Sequence, residues 1–336
     1  MITATLLLAA SFSVKTWTVP GKRVPTEIVR HGNEVWFVAW TMQPKTAGYF
    51  GRVTKNGRIR MMQAAPEDHM PGLTTHAPDG TLWLGDASQP VLWRVSRDGR
   101  IAKIPSVRPT LSVAFGPDGN IWAAHHLSAY IGVYGQDGKE KRGVIVPDVV
   151  PPPMTSMVPP LPAPQVSVIV AGPDGAMWFT ETYRQRIGRV TTTGEVTMFD
   201  PHVPMQHYTP IVAGVDGTLY FTTVDRALGR ITTSGEVTTV PIGFHPWLIE
   251  ADSRGRIWYA SENRIGIVGE GEFELAKVKR IRSMSEGPDG AMWIADDAAN
   301  QIARITVSGA SASLPRTIPA PRQSAPARSA AAYRPF

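Results

Sequence analysis

The chain has 336 residues, with 34 Lys and Arg, 28 Asp and Glu, no Cys, 31 Gly and 30 Pro. That length allows two ordinary domains or one large all-β domain, and a charged fraction of only 18% excludes a wholly disordered chain. The lack of Cys excludes disulfide scaffolds, thiolate metal sites and a cysteine nucleophile. No apolar run reaches the roughly 18 residues that a membrane span needs, so we expect no transmembrane segment.

The first residues combine a short apolar stretch with a strand-like pattern. Residues 4–10 are apolar and end in small side chains, as a secretory signal does, although no positive charge precedes them. Residues 1–12 are therefore interpreted as a signal segment or a disordered start. A signal in residues 1–10 would place the protein in the periplasm or outside the cell, and without one it would be cytoplasmic. The alternation in SVKTWTVP, residues 13–20, predicts a strand.

One sequence unit recurs along residues 13–309. The segment GPDGAMWFTETYRQRIGRVTTTGEVTMF at 172–199 is echoed by GVDGTLYFTTVDRALGRITTSGEVTTV at 214–240 and by GPDGAMWIADDAANQIARITVSG at 287–309. Looser copies precede and separate these three. Each of the seven copies has one aromatic anchor, and the anchors are Trp36, Trp83, Trp122, Trp178, Tyr220, Trp258 and Trp293.

Each unit has the pattern of four short antiparallel strands. Pro-Asp-Gly predicts a turn before the anchor strand, and a second turn separates the third and fourth strands. One such sheet cannot bury both faces, so neighbouring sheets must stack radially. The sequence therefore predicts an all-β, seven-bladed β-propeller of four-stranded antiparallel blades. The last unit lacks a fourth strand, which the N-terminal strand would supply to close the ring.

Two segments fall outside the repeat. Residues 146–165 are rich in proline, which forbids ladder pairing and favours an extended conformation. They are predicted to form an exposed connection between blades 3 and 4, or else a lid over the channel mouth with Met154 and Met157 as contacts. Residues 310–336 predict a disordered tail rich in Ala, Pro and Arg. The tail carries most of the net charge of +6, so we expect no nucleic-acid partner.

Counting from the anchors predicts which side chains meet at one mouth of the channel. The first hairpin of each blade should set position −12 opposite +3, and −13 opposite +4. Glu181 lies at +3, Glu262 at +4, and His207 and His245 at −13. His245 is therefore predicted to face Glu262. The two either share a cation, for which an imidazole would favour Mn²⁺ or Zn²⁺, or form a hydrogen-bonded pair.

Other residues near this mouth have two interpretations each. Trp247 either stacks on a ligand or packs the mouth closed. His125 and His126 are expected to form a solvated pair rather than a ligand set.

The repeated unit GPDGAMWFTE…RIGRVTTTGEVTMF resembles that of the streptogramin (virginiamycin B) lyase family over about residues 14–308. The resemblance implies a carbon–oxygen lyase that opens a cyclic or ester-linked peptide by elimination, with a divalent metal (Mg²⁺ in the family) and a His base. The family's metal ligands are two Glu at the positions of His245 and Glu262, so the resemblance assigns metal binding to these two residues. It also implies His207 as the catalytic base, two positions from where the family carries a His.

The sequence departs from the family at position −11 of blades 5 and 6. Thr209 and Trp247 stand there in place of the family's His residues, and we assign both to ligand binding together with Glu181. The expected partner is a small molecule or peptide at the channel mouth of a monomer. The alternative function is a non-catalytic propeller that binds a ligand or protein partner at this mouth. Seven anchors argue against a six-bladed, calcium-dependent lactonase.

Overall fold

The protein folds into seven four-stranded antiparallel sheets arranged as blades. The structure is a computed structural model that describes residues 11–41, 47–65, 71–147 and 165–308. The predicted N-terminal signal segment, the Pro-rich lid with Met154 and Met157, and the tail lie outside the described residues. No helix in the described ranges is long and apolar enough to span a membrane.

The described strands form the blades in chain order, and a short 3-10 helix at Pro20–Lys22 follows the first strand. The strands are β1 Ser11–Thr18, β2 Val24–His31, β3 Glu34–Thr41, β4 Ala47–Val53, β5 Ile59–Ala65, β6 Pro71–His76, β7 Leu82–Asp86, β8 Val91–Val95, β9 Ile101–Pro105, β10 Thr110–Phe115, β11 Ile121–His125, β12 Tyr130–Tyr134, β13 Glu140–Ile145, β14 Val166–Ala171, β15 Met177–Glu181, β16 Arg186–Val190, β17 Val196–Phe199, β18 Ile211–Ala213, β19 Thr218–Thr222, β20 Ala227–Thr232, β21 Val237–Pro241, β22 Leu248–Ala251, β23 Ile257–Ser261, β24 Arg264–Ile267, β25 Gly271–Glu274, β26 Ile281–Glu286, β27 Met292–Asp296 and β28 Gln301–Ser308.

The predicted seven-bladed propeller is confirmed. Blades 1 to 6 use consecutive sets of four strands from β2 to β25, and blade 7 consists of β26, β27, β28 and β1. The first strands of neighbouring blades contact one another around the whole ring, so they surround the central channel. The turns between strands two and three of each blade lie at one end of the channel, together with the connections between blades. We call this end the first mouth. The Pro-Asp-Gly turns lie at the opposite end, the second mouth.

The N-terminal strand closes the ring as predicted. β1 pairs with β28 over eight residues, from Ser11 opposite Ser308 to Thr18 opposite Gln301. Trp17 of β1 stacks on the anchor Trp293 with ring centroids 5.5 Å apart. The two ends of the described chain are therefore joined within one sheet, which completes the four strands of blade 7 and closes the ring.

The anchors are buried between blades, and in blades 3 to 7 each anchor also bonds to an Asp of its own turn. Trp178 of blade 4 packs against Leu219, Phe221 and Ile231 of blade 5, and its indole N–H donates to Asp174 Oδ1 at 3.0 Å. Burial of an aromatic ring with its polar atom satisfied is stabilising. The repeat therefore encodes both the contact between blades and the turn that orients it.

A glycine of the third strand makes room for a second aromatic ring. Gly188 lies opposite Phe179 in the sheet, and a Cβ at this glycine would come within 2.0 Å of the phenyl ring. Only glycine permits this close approach, which explains the Ile-Gly-Arg sequence of the third strand.

Acidic side chains from different blades meet in the channel. Burial, together with the smaller effect of the charges of Glu286, Asp252 and Glu27, raises the pKa of Glu250 to about 8. Burial likewise raises the pKa of Glu27 to about 7, although Arg282 and a hydrogen bond from Ser283 lower it. The folded protein therefore favours the protonated, neutral form of both carboxyl groups.

Because the pKa values of Glu250 and Glu27 are raised, we expect the free energy of unfolding to fall as the pH rises. The ordinary glutamate pKa is 4.5, so between about pH 4.5 and 8 the unfolded chain loses protons that the folded chain retains. Glu250→Gln keeps a neutral side chain at every pH. We expect it to raise the free energy of unfolding by about 1 to 2 kcal/mol at pH 9, because each pKa unit is about 1.4 kcal/mol and channel water screens part of the shift.

Urea unfolding at pH 4.5 and pH 9 measures this effect, and at pH 4.5 the variant should match the original protein. The control is Glu236→Gln, which changes an exposed turn residue and should have no pH-dependent effect. Equal stability of the Glu250 variant and the original protein at pH 9 would contradict the prediction.

Candidate ligand-binding mouth

The hairpin geometry predicted for the first mouth is confirmed in four blades. Position −12 pairs with +3 in the register of blades 2, 3, 4 and 7, and the pairs are Pro71 with Asp86, Thr110 with His125, Val166 with Glu181, and Ile281 with Asp296. A register shift of one residue follows each pair. These bulges bring the predicted positions to one end of the channel.

Glu181 is fully buried at this mouth, and its oxygens accept backbone hydrogen bonds. Oε1 accepts from the N–H groups of Gln165 at 3.1 Å and Tyr183 at 3.0 Å, and Oε2 accepts from Arg184 at 3.0 Å. Arg186 Nε lies 3.6 Å from Oε2. The carboxylate therefore joins the connection that enters blade 4 to the loop that leaves its second strand. Its assignment to ligand binding stays a prediction.

The same arrangement occurs in two other blades. Asp296 accepts from the backbone N–H groups of Lys279, Arg280 and Ala299. Asp86 accepts from Ser88 and Gln89 and from the indole of Trp93. A carboxylate at +3 followed by a turn was the sequence signal for this role, because such a side chain can satisfy loop N–H groups.

An aromatic and imidazole cluster is exposed at the first mouth across blades 3, 4 and 5. His207 contacts Tyr208 and Tyr183, with ring centroids 4.5 and 5.9 Å apart. Tyr208 Oη lies 3.5 Å from His126 Nε2. We call these four residues the mouth cluster. His207 and Tyr208 are exposed side by side, and Tyr208 has a φ of 59°, which is rare for a bulky residue.

The sequence did not single out the two tyrosines of this cluster. Tyr183 follows the second strand of blade 4, and Tyr208 lies in the connection that enters blade 5. His125 differs from the expected solvated pair, since it is buried while its neighbour His126 reaches the cluster. Its Nδ1 lies 3.2 Å from Thr110 Oγ1, and burial lowers the pKa of His125.

Trp247 projects from the connection that enters blade 6. Its side chain is 57% exposed, its backbone N–H donates to the carbonyl of Ala260 at 2.8 Å, and its ring contacts His245 edge-on at 5.7 Å. His245 Nε2 accepts a hydrogen bond from Gln206 Nε2 at 3.2 Å. An exposed indole held by a bonded backbone is a suitable surface for stacking with a ligand.

Thr209 and Glu262 occupy different environments. Thr209 is buried, and its hydroxyl donates to the carbonyl of Gln206 at 2.6 Å. Glu262 is exposed at the tip of a hairpin with a φ of 51°, and its carbonyl accepts from the N–H of Ile281 at 2.7 Å. The facing strand β22 begins only at Leu248, so His245 lies in the connection before it.

The predicted metal site is tested by its donor set. Among the residues that the structure describes, no group of three or more His, Asp or Glu side chains could hold a metal ion. His245 is hydrogen-bonded to Gln206. The carboxylate of Glu181 is buried and already accepts three backbone hydrogen bonds. The described side chains therefore do not fit the metal that the resemblance implies, and we derive no reaction step through it.

The sheets, the closed ring and the loop-built mouth define the chain as a seven-bladed β-propeller. Residues 168–327 match the sequence model of the Virginiamycin B lyase family, which confirms the resemblance inferred from the repeats. The propeller is therefore similar to the virginiamycin B lyase family over these residues.

Solved structures of such lyases have the same fold. A streptogramin B lyase structure is 23% identical with a TM-score of 0.74, covering 88% of this chain and 98% of that one. Virginiamycin B lyase from Staphylococcus aureus is 24% identical with a TM-score of 0.74, covering 88% and 99%. A catalytically inactive His-to-Ala variant of that lyase with quinupristin is 23% identical with a TM-score of 0.73, covering 88% and 99%. At these identities the likeness establishes the fold alone, and no curated protein matches the chain.

Proposed function

We propose that this protein binds a peptide or cyclic depsipeptide at the first mouth and acts as a binding propeller. The mouth cluster carries the proposal, because it presents adjacent aromatic and imidazole rings to solvent. Trp247 adds a second exposed ring on blade 6. Ligand rings and apolar side chains gain both buried area and ring–ring contacts on such a surface.

Two further observations support binding over catalysis. Thr209 and Trp247 stand where the family has His residues, so the general base that such an elimination needs is displaced. The carboxylate of Glu181 bonds to its own loops, which leaves it little capacity to hold a substrate or an ion. The first mouth therefore has a surface of exposed rings that can bind a ligand, but it lacks the family's arrangement of reactive His residues.

Quinupristin is the probe, because it accompanies the inactive relative of the same fold. We expect Trp247→Ala to weaken quinupristin binding about tenfold, equivalent to about 1.4 kcal/mol, through loss of the exposed indole surface. Isothermal titration of the intact protein measures the change, and unfolding should remain within about 0.5 kcal/mol of the original protein.

The matched control is Val215→Ala, which removes an exposed apolar side chain from a turn at the second mouth. Its affinity should equal that of the original protein. Unchanged affinity in the Trp247 variant, or no binding to the original protein, would overturn the proposal for this class of ligand.

Elimination on the same ligand is the second candidate function, and the exposed imidazole of His207 favours it. The reaction would move a C–H proton to His207 and break the ester C–O bond, giving a linear peptide of unchanged mass with a C=C bond and a free carboxylic acid. Chromatography of quinupristin incubated with the protein, after chelation or with Mg²⁺, Mn²⁺ or Zn²⁺, measures this product. Turnover that disappears in His207→Ala would support the lyase.

A further inference from the structure

A three-part contact recurs at the second mouth. In blade 4, Asp174 of the turn accepts from the indole N–H of Trp178 at 3.0 Å and from Arg189 Nε at 2.6 Å. The contact recurs in two other blades, as Asp289 with Trp293 and Arg304, and as Asp216 with Tyr220 and Arg230. One carboxylate thus accepts hydrogen bonds from both an anchor aromatic side chain and the arginine opposite it.

Blade 1 retains both donors of this contact without its carboxylate. Trp36 is paired with Arg52 across the sheet as Trp178 is with Arg189, but Gly32 stands four residues before the anchor. Trp36 is only 2% exposed, and within the described residues neither its Nε1 nor Arg52 Nε has a hydrogen-bond partner. Each buried donor left without a partner costs about 1 to 3 kcal/mol.

Trp36 and Arg52, which carry these two donors, both line one cavity. Its volume is about 200 Å³, and Gly32, Glu34 and Arg97 also line it. Arg52 Nη1 lies 3.2 Å from Glu34 Oε2, so the guanidinium is held in place by one edge. The cavity can accommodate a small molecule of several heavy atoms between blades 1 and 2.

The acidic side chains near this cavity have partners of their own. The carboxylate of Glu34 bonds to Arg52. Asp98 accepts from the Ser96 hydroxyl and pairs with Arg100 at 2.9 Å. His31, also in the lining, donates from Nε2 to the Ser96 carbonyl at 3.3 Å. Arg97 adds a positive charge to the lining.

We propose that this cavity is a second ligand site, which binds a small carboxylic acid through its carboxylate. The ligand oxygens would accept from Trp36 Nε1 and Arg52 Nε, the two donors that Asp174, Asp216 and Asp289 satisfy in other blades. The internal repeat therefore specifies the chemistry of the ligand. The site lies at the opposite end of the channel from the mouth cluster and is independent of the function proposed there.

Acetate is the probe, and the indole N–H resonances of ¹⁵N-labelled intact protein are the measurement. Trp36→Phe assigns the Trp36 resonance. We expect acetate to move that resonance saturably, while the indole of Trp178, already bonded to Asp174, stays in place as an internal control. Equal movement of both resonances, or an equal response to sodium chloride, would overturn the proposal. An equal response to phosphate would overturn the assignment to carboxylates.

Two variants test the contact itself. Arg52→Gln should weaken acetate binding at least tenfold, whereas Arg58→Gln, at an exposed position of the same blade, should leave it unchanged. Gly32→Asp supplies a carboxylate within the chain and should abolish the acetate response. A Cβ at Gly32 meets no atom within 4 Å, and its φ of 60° is one that Asp tolerates better than most residues. Unaltered acetate affinity in Arg52→Gln would contradict the site even if Gly32→Asp failed to fold.

Discussion

Glu181→Ala is expected to lower the free energy of unfolding by about 3 to 5 kcal/mol. The substitution leaves three backbone N–H groups without their acceptor and removes the negative charge 3.6 Å from Arg186. Arg186 is itself mostly buried, so its charge would lack compensation in a region of low dielectric. The loss corresponds to a melting temperature lower by about 10 °C in a domain of this size.

Thermal and urea unfolding of purified protein measure the loss. Glu195→Ala is the matched control, because this glutamate is exposed at a turn of the same blade, and its stability should stay within about 0.5 kcal/mol of the original. Glu181→Gln retains an acceptor oxygen and should fall between the two. A loss below about 1 kcal/mol in Glu181→Ala would show that the loops do not depend on this carboxylate, and would favour its assignment to ligand binding.

Deleting residues 1–18 is expected to open the ring. The deletion removes β1, which pairs with β28 over eight residues, and it removes the Trp17 ring from Trp293. β28 would then become an exposed sheet edge, which promotes association between chains. Phe12, Val14 and Trp17 are partly buried, so each contributes a part of the roughly 1.5 to 3 kcal/mol that full burial is worth, before the entropy of ordering the strand. We expect a net loss of about 3 to 6 kcal/mol, or insoluble protein.

Deleting residues 1–10 is the control, since this shorter deletion keeps all of β1. Both truncated proteins are compared by thermal unfolding and by light scattering, which detects association. Similar melting temperatures for the two truncations would mean that β1 contributes little to closing the ring.

The repeated unit made the architecture predictable from local physics. Pro-Asp-Gly fixes a turn, the alternating apolar residues fix the strands, and Trp178 and its counterparts must be buried between sheets. The hairpin register was also predictable, because a turn of known position sets which residues face each other, as Val166 and Glu181 do. The domain boundaries at the N-terminus, the Pro-rich connection and the tail stay predictions.

The candidate site was predictable only in part. The sequence placed Glu181, His207, Thr209, His245, Trp247 and Glu262 near one mouth. It did not indicate the mouth cluster, since Tyr183 and Tyr208 follow no repeated pattern and come together through loops of blades 4 and 5. The conformation of such loops depends on long-range contacts that a single sequence does not encode locally.

The sequence by itself determined the number of blades, the strand that closes the ring and the resemblance to the lyase family. These follow from periodic patterns, in which each local preference is repeated seven times and agrees with the whole. The tertiary structure alone decided which polar groups are satisfied within the protein and which face solvent. Glu181 and Trp247 both carry polar atoms and lie near the same mouth. The Glu181 carboxylate is enclosed by backbone N–H groups, whereas the Trp247 indole is exposed. Burial and hydrogen bonding depend on neighbours that are distant in the chain, and those neighbours make the environment of an enclosed carboxylate different from that of an exposed indole.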